Sequence, residues 1–171
     1  MSASLSTGLS RMHVRLRLRA NKDTDFLRAL YATVRAEEMA VVPWPEAVKA
    51  AFLRQQFDAQ DLCYTTSYPS ARQWIIIRDT GATRRPVGRF FLYCGVKDWR
   101  IIDIAFLPEW RGMGMGSGLI TATAADAAAA GCTLSLHVDI HNRAKSLYRR
   151  LGFVEDGTHN GLYQKMVRAL P

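Results

Sequence analysis

"RGMGMG" (residues 111–116) lies between the apolar run "IIDIAFLPEW" (101–110) and the alanine-rich segment "SGLITATAADAAAA" (117–130). The first flank is typical of a buried strand and the second of a helix. Glycines allow successive backbone N–H groups to point inward, and a helix N-terminus carries about half a positive charge. The stretch therefore predicts an anion-binding loop between a strand and a helix, although a packed tight turn would leave the same pattern.

The spacing of the glycines excludes two common phosphate loops. A Walker A loop requires a lysine and then Ser or Thr after its last glycine, whereas Gly116 is followed directly by Ser117. A dinucleotide fingerprint, GxGxxG, would need its third glycine at Ser117 or at Leu119. The loop belongs to neither class.

Length and composition favour one globular domain. With 171 residues, we expect a single domain over 13–171 and a disordered lead-in over 1–12. No apolar stretch approaches the roughly 18 residues of a membrane span, and the N-terminus lacks the apolar segment of a secretory signal. These features favour a cytoplasmic protein without membrane contact.

The net charge of +8 arises from 23 basic and 15 acidic residues that are scattered along the chain. The densest basic stretch, "VRLRLR" (14–19), alternates as a strand does, so a nucleic-acid partner is disfavoured. The odd number of cysteines and the lack of Cys/His spacing predict no metal site and buried, reduced thiols. These cysteines are Cys63, Cys94 and Cys132.

Hydrophobic periodicity predicts an α/β fold with the order β-α-α-β-β-β-α-β-α-β-β. We expect a mixed, mostly antiparallel sheet of six to seven strands flanked by about four helices. The predicted helices cover 23–38, 46–59, 116–130 and 142–152. The predicted strands cover 14–18, 73–79, 86–94, 99–107, 133–139, 153–157 and 162–167.

Two motifs together resemble a known family. "LPEWRGMGMGSGLI" (107–120) matches R/Q-x-x-G-x-G/A, the acetyl-CoA signature of the GNAT N-acetyltransferase superfamily. "HVDIHNRAKSLYRRLGFVEDG" (137–157) is similar to the second half of the same core, with Asn142 after a strand and Tyr148 six residues later. The resemblance covers about residues 75–167 and implies the GNAT fold.

The resemblance implies acetyl-CoA as co-substrate and no metal. The pantetheine arm is expected to pair with the backbone of Ile104, Ala105 and Phe106. The pyrophosphate is expected to bind Arg111, Gly112, Met113, Gly114, Met115 and Gly116. Asn142 is expected to bind the pantetheine arm, and it would equally suit an N-cap of the helix that follows.

For catalysis, the resemblance implies that Tyr148 is the general acid that protonates the CoA thiolate. The alternative is that its ring only packs against the sheet. Asp103, a carboxylate in an apolar strand, is the candidate base, unless backbone donors or an arginine merely hold it. His137 and Asp139 are rival bases, and an amine that arrives neutral would need none.

The implied function is N-acetyl transfer to a primary amine by direct attack in a ternary complex. The acceptor stays open between a small amine, an amino acid, an aminoglycoside and a peptide or protein N-terminus. Glu37, Glu38 and Trp44 could receive a cationic amine or could simply be surface residues. Alternatives are a non-catalytic CoA-binding sensor and a GNAT toxin acting on charged tRNA; a homodimer also stays open.

Overall fold

The computed structural model describes residues 13–159 and 161–170, so the expected lead-in over 1–12 lies outside the described residues. The strands are β1 (Val14–Leu18), β2 (Arg72–Asp79), β3 (Arg84–Cys94), β4 (Asp98–Phe106), β5 (Thr133–Asp139), β6 (Val154–His159) and β7 (Tyr163–Arg168). The α-helices are α1 (Thr24–Val34), α2 (Ala36–Ala40), α3 (Glu46–Ser67), α4 (Met115–Ala129) and α5 (Ala144–Arg150).

The seven strands form one sheet in the order β1-β2-β3-β4-β5-β7-β6. Every neighbouring pair is antiparallel except β4 and β5, which are parallel. A parallel pair needs a crossover connection, and α4 supplies it between these two strands. The predicted α/β class, with a mostly antiparallel mixed sheet, is confirmed.

Successive side chains of a strand point to opposite faces of the sheet, and the central strands carry consecutive apolar residues. Both faces of the sheet are therefore apolar, and helices cover both. Trp74 and Phe90 stack face to face, with ring centroids 5.8 Å apart, in the core that α4 covers. Ile75 and Phe91, the next residue along each strand, join the core formed with α1 and α3. Asp103 pairs with Phe91 in the sheet, which places it on the α1 and α3 face.

Two helices differ from the prediction. The segment 23–38 is interrupted at Arg35, whose backbone angles (φ −94°, ψ 3°) leave the helical region, so a short separate helix follows. The second helix was predicted to end near residue 59 and continues to Ser67. Its additional turns carry Tyr64, which packs edge-to-face on Phe91 with ring centroids 6.2 Å apart. Packing against the sheet therefore extends this helix beyond its apolar pattern.

The three cysteines are free thiols, but only Cys132 is buried. The prediction of buried thiols was wrong for Cys63 and Cys94, which are exposed on α3 and at the end of β3. None of the helices in the described part of the chain combines the length and apolar composition needed to cross a membrane.

Candidate active site

A gap opens between β4 and β5. The two strands pair only from Asp98 opposite Thr133 to Ile101 opposite Leu136. β4 then continues to Phe106 and β5 to Asp139 without further pairing between them. Backbone hydrogen-bonding groups in such a gap must find other partners, and an extended ligand can supply them.

Polar side chains hold the closed end of this gap. Ser135 Oγ donates a 2.6 Å hydrogen bond to Asp98 Oδ2, and Thr133 Oγ1 donates a 2.8 Å bond to Asp98 Oδ1. Arg100 Nε donates to Ser135 Oγ at 3.2 Å. These bonds tie β4 to β5 where their pairing begins.

A bulge in β4 lies where the strands part. Phe91 of β3 pairs with Asp103 and the next residue, Leu92, pairs with Ile101, so Ile102 is the extra residue. A bulge bends its strand and increases its twist. The bend therefore coincides with the point at which β4 leaves β5.

Gly88 allows β3 to approach the open part of β4. A Cβ atom at this position would lie 2.4 Å from the carbonyl oxygen of Ala105, well inside van der Waals contact. Any side chain at residue 88 would therefore push away the segment that is expected to pair with pantetheine. This role of Gly88 was not predicted, because a single glycine in a strand does not reveal which backbone approaches it.

The predicted anion-binding loop leads into the N-terminus of α4. Gly112 (φ +74°) and Gly114 (φ +78°) adopt the left-handed conformation, and α4 begins at Met115. A Cβ atom at either glycine would meet nothing within 4 Å, so a ligand can approach the backbone there. Met113 is exposed, whereas the Met115 side chain is buried in the core beneath the loop. Gly116 lies beside the Phe106 ring, which its Cβ would approach to 3.5 Å.

Arg111 joins three parts of the chain. Its Nε donates a 2.9 Å hydrogen bond to the carbonyl oxygen of Phe106. Its Nη2 donates to Oγ1 and to the carbonyl oxygen of Thr33, at 3.2 and 3.3 Å, near the end of α1. All three acceptors are neutral oxygens, so the guanidinium charge remains available to a phosphate.

The N-cap of α5 is Arg143, and Asn142 instead forms an Asx turn just before the helix. Its Oδ1 accepts a 2.8 Å hydrogen bond from the backbone N–H of Ala144, the first residue of α5. The side-chain amide nitrogen takes no part in this bond and can donate to a ligand. A surface groove of about 550 Å³ adjoins Asn142; its lining residues are Ile140, Asn142, Arg143, Lys145, Ser146 and Arg149.

Tyr148 is half-buried on α5, where its ring packs edge-to-face on Phe153 with centroids 6.0 Å apart. Burial raises the pKa of Tyr148 to about 12, and the negative charge of Asp103 adds to the shift. The phenol therefore keeps its proton at neutral pH. Asp103 lies close enough to Tyr148 to influence its ionisation, although the two residues come from different elements.

Asp103 is held by an arginine, which is one of the alternatives that the sequence left open. Arg89 Nη2 donates a 2.6 Å hydrogen bond to Asp103 Oδ2. The Tyr64 hydroxyl donates to the same oxygen at 3.3 Å, and burial followed by the Asp103 charge raises the pKa of Tyr64. Neither partner of Asp103 was predicted; the one available signal in the sequence was the single charge within "VGRFFLY" (87–93).

Of the rival bases, Asp139 is exposed at the end of β5 and accepts a 2.8 Å hydrogen bond from the backbone N–H of His141. His137 is half-buried on the same strand. Within residues 13–159 and 161–170, no three His, Cys, Asp or Glu side chains are grouped so that they could hold a metal ion.

Solved structures of acetyltransferases are similar to this fold. A PaiA N-acetyltransferase from Thermoplasma acidophilum, in complex with coenzyme A, aligns with a TM-score of 0.65 at 15% identity over 91% of this chain and 98% of its own. Spermidine N-acetyltransferase from Vibrio cholerae, in complex with CoA and spermine, aligns with 0.60 at 20% identity over 91% and 95%. RimL, a ribosomal L7/L12 alpha-N-protein acetyltransferase in complex with coenzyme A, aligns with 0.60 at 17% over 92% and 94%.

At these low identities, the structural similarity shows the shared fold alone. No curated protein sequence matches the chain significantly. The model of the acetyltransferase (GNAT) domain matches residues 69–155, which include the gap, the glycine loop and α5. The chain therefore belongs to the GNAT acetyltransferase family.

Proposed function

We propose that the protein transfers the acetyl group of acetyl-CoA to a primary amine by direct attack in a ternary complex. The gap between β4 and β5 carries the proposal, with Asp103 on the unpaired part of β4 and the glycine loop beyond the end of that strand. Tyr148 lies near enough for the Asp103 charge to raise its pKa. The gap offers backbone to the pantetheine arm, and the loop offers amides to the pyrophosphate.

The donor site is assigned residue by residue. Ile104, Ala105 and Phe106 pair with the pantetheine arm through their backbone groups, and the Asn142 amide donates to the same arm. The pyrophosphate binds the backbone N–H groups of Gly112, Met113, Gly114, Met115 and Gly116. Arg111 adds its positive charge, and its Phe106 and Thr33 contacts hold it near the end of β4.

The acetyl transfer then needs two proton movements. The amine nitrogen forms a bond to the thioester carbonyl carbon, and the carbon–sulfur bond breaks. Tyr148 gives its proton to the departing sulfur, and Asp103 takes the proton that the nitrogen loses. The raised pKa of Tyr148 keeps the phenol protonated until the sulfur requires the proton.

The acceptor is proposed as a small amine or a peptide N-terminus. Relatives of the same fold act on spermidine and on a protein α-amine. In this chain, Trp44 lies half-exposed against Phe52, with ring centroids 5.4 Å apart, and Glu38 pairs with Arg35 at 2.9 Å. Glu37 is exposed on the same short helix and can attract a cationic amine.

A thiol-release screen tests the proposal. Acetyl-CoA is incubated with the protein and a panel of primary amines: polyamines, amino acids, aminoglycosides, peptides and an aminoacyl-tRNA. We expect release of CoA thiol that depends on the amine, together with an acceptor that gains one acetyl group by mass spectrometry. Tight CoA binding without thiol release for any amine would instead identify a sensor and would contradict the proposal.

A further inference from the structure

A buried ion pair lies beside the gap. Arg89 of β3 and Asp103 of β4 expose only 4% and 12% of their side chains. Arg89 Nη2 donates to Asp103 Oδ2 at 2.6 Å and to Gln60 Oε1 of α3 at 3.1 Å. The Tyr64 hydroxyl of α3 adds a bond of 3.3 Å to Asp103 Oδ2. The neighbouring strand β3 and the helix α3 therefore fix one carboxylate.

The two oxygens of this carboxylate differ. Oδ2 accepts both hydrogen bonds, from Arg89 and from Tyr64. Oδ1 accepts none from the described residues, and 12% of the Asp103 side chain is exposed. Asp103 thus has one oxygen anchored by two hydrogen bonds and one that no described residue binds.

Stability alone does not account for this arrangement. A buried ion pair loses solvation that its attraction often fails to recover, and apolar side chains of similar size can replace it without loss. Arg89 adds a further cost, because its Nε is buried without a hydrogen-bond partner among the described residues. Asp103 lies on the part of β4 that no longer pairs with β5, and this position beside the gap gives the ion pair another use.

We propose that Arg89 is a positioning residue for acetyl transfer: by binding Oδ2 of Asp103, with Tyr64 as a second support, it directs Oδ1 toward the acceptor amine. This inference rests on the proposed N-acetyltransferase function. Arg89 itself touches neither substrate and acts through Asp103.

The proton step balances without any further reactant. The attacking nitrogen forms its bond to the acetyl carbon and becomes a cationic, strongly acidic group. An N–H bond then breaks and an O–H bond forms at Oδ1 of Asp103, which neutralises both charges. Solvent later takes this proton and returns one to Tyr148, which gave its own to the sulfur when the carbon–sulfur bond broke. Arg89 keeps Oδ2 occupied throughout, so Oδ1 is the oxygen that receives the proton.

Four variants test the positioning role with the best acceptor from the amine panel. Arg89→Met removes the cation, Arg89→Lys keeps it and Tyr64→Phe removes the second support. The matched control is Arg19→Met, which breaks a sheltered ion pair with Asp61 (2.7 Å) beside the edge strand β1. Kinetics are normalised to folded sites counted by CoA binding, and the acceptor KM and the acetyl-CoA affinity are measured separately.

We expect Arg89→Met to lower kcat by about 100-fold, the lower end of general-base contributions, with acetyl-CoA affinity unchanged. Arg89→Lys should recover at least a tenth of wild-type kcat, and Tyr64→Phe should lose about tenfold, as expected for one hydrogen bond to a charged group. Arg19→Met should lose stability and keep kcat.

A wild-type kcat per folded site in Arg89→Met would overturn the inference and leave the acetyltransferase function intact. If Arg89→Met fails to fold, a wild-type kcat in both Arg89→Lys and Tyr64→Phe would overturn it in the same way. Absence of thiol release from the wild type would instead overturn the function. Crystal structures of the wild type and of Arg89→Lys would then test the positioning role. The role is refuted if the Asp103 side chain has the same conformation in both structures although the lysine does not contact it.

Discussion

Replacing Tyr148 by phenylalanine removes one hydroxyl and keeps the ring that packs on Phe153. Within the described residues this hydroxyl forms no hydrogen bond, so its loss should change the free energy of unfolding by less than about 1 kcal/mol. The expected effect falls on turnover. General acids contribute roughly 10²–10⁴-fold, and a thiolate is a good leaving group, so we expect a loss near the lower end, about 100-fold in kcat.

The pH dependence of kcat gives a second, independent test of the role of Tyr148. Burial and the Asp103 charge both favour the neutral phenol, so the pKa of Tyr148 rises from 10.0 to about 12. At pH 10 an ordinary tyrosine is half ionised, whereas about 1% of Tyr148 is. The wild-type kcat should therefore show no fall caused by this group below about pH 11. Asp103→Asn removes the negative charge and should lower the pKa of Tyr148.

The assay is thiol release with saturating acetyl-CoA and acceptor, followed from neutral to alkaline pH. Tyr31→Phe, which alters a buried tyrosine on α1, serves as the control and should retain wild-type turnover. Calorimetry with CoA checks that Tyr148→Phe still binds the donor. Undiminished kcat in Tyr148→Phe would refute its role as the general acid.

Three further perturbations follow from the structure. Gly88→Ala should lower the free energy of unfolding by about 1–3 kcal/mol in denaturant titrations, because its Cβ meets the Ala105 carbonyl oxygen at 2.4 Å; wild-type stability would contradict the close approach. Gly114→Val should abolish CoA binding in calorimetry and leave the fold largely intact, and retained affinity would count against the loop assignment. The hydrogen bond from Arg17 lowers the pKa of Asp23, so the free energy of unfolding of the wild type should fall as pH drops below about 4. In urea titrations, Asp23→Asn should make this fall with pH shallower. An equally steep fall in Asp23→Asn would exclude the Arg17–Asp23 pair as the source of the pH dependence.

The local pattern of the sequence was sufficient for most elements. The apolar runs of β2 to β4 predict strands, and the glycines before an alanine-rich segment predict the start of α4. The motif residues also indicated the family, because two motifs at the expected separation are more specific than one. Residues 69–155, which the family model matches, contain both motifs.

Long-range contacts were beyond a local pattern. Arg111 and Thr33 lie 78 residues apart in sequence, and no periodicity pairs them. The end of α3 depends on Tyr64 packing against Phe91, and the anchoring of Asp103 depends on Arg89 from the neighbouring strand. Each is set by strand register and helix placement, which arise only when the sheet is assembled.

Amide hydrogen exchange with and without CoA tests the proposed acetyl-CoA site, since it reports which backbone groups CoA covers. We expect slower exchange at Ile104–Phe106 and at Gly112–Gly116 when CoA binds. Unchanged exchange in both segments, with CoA binding demonstrated by calorimetry, would contradict the assignment of the gap and the glycine loop as the acetyl-CoA site.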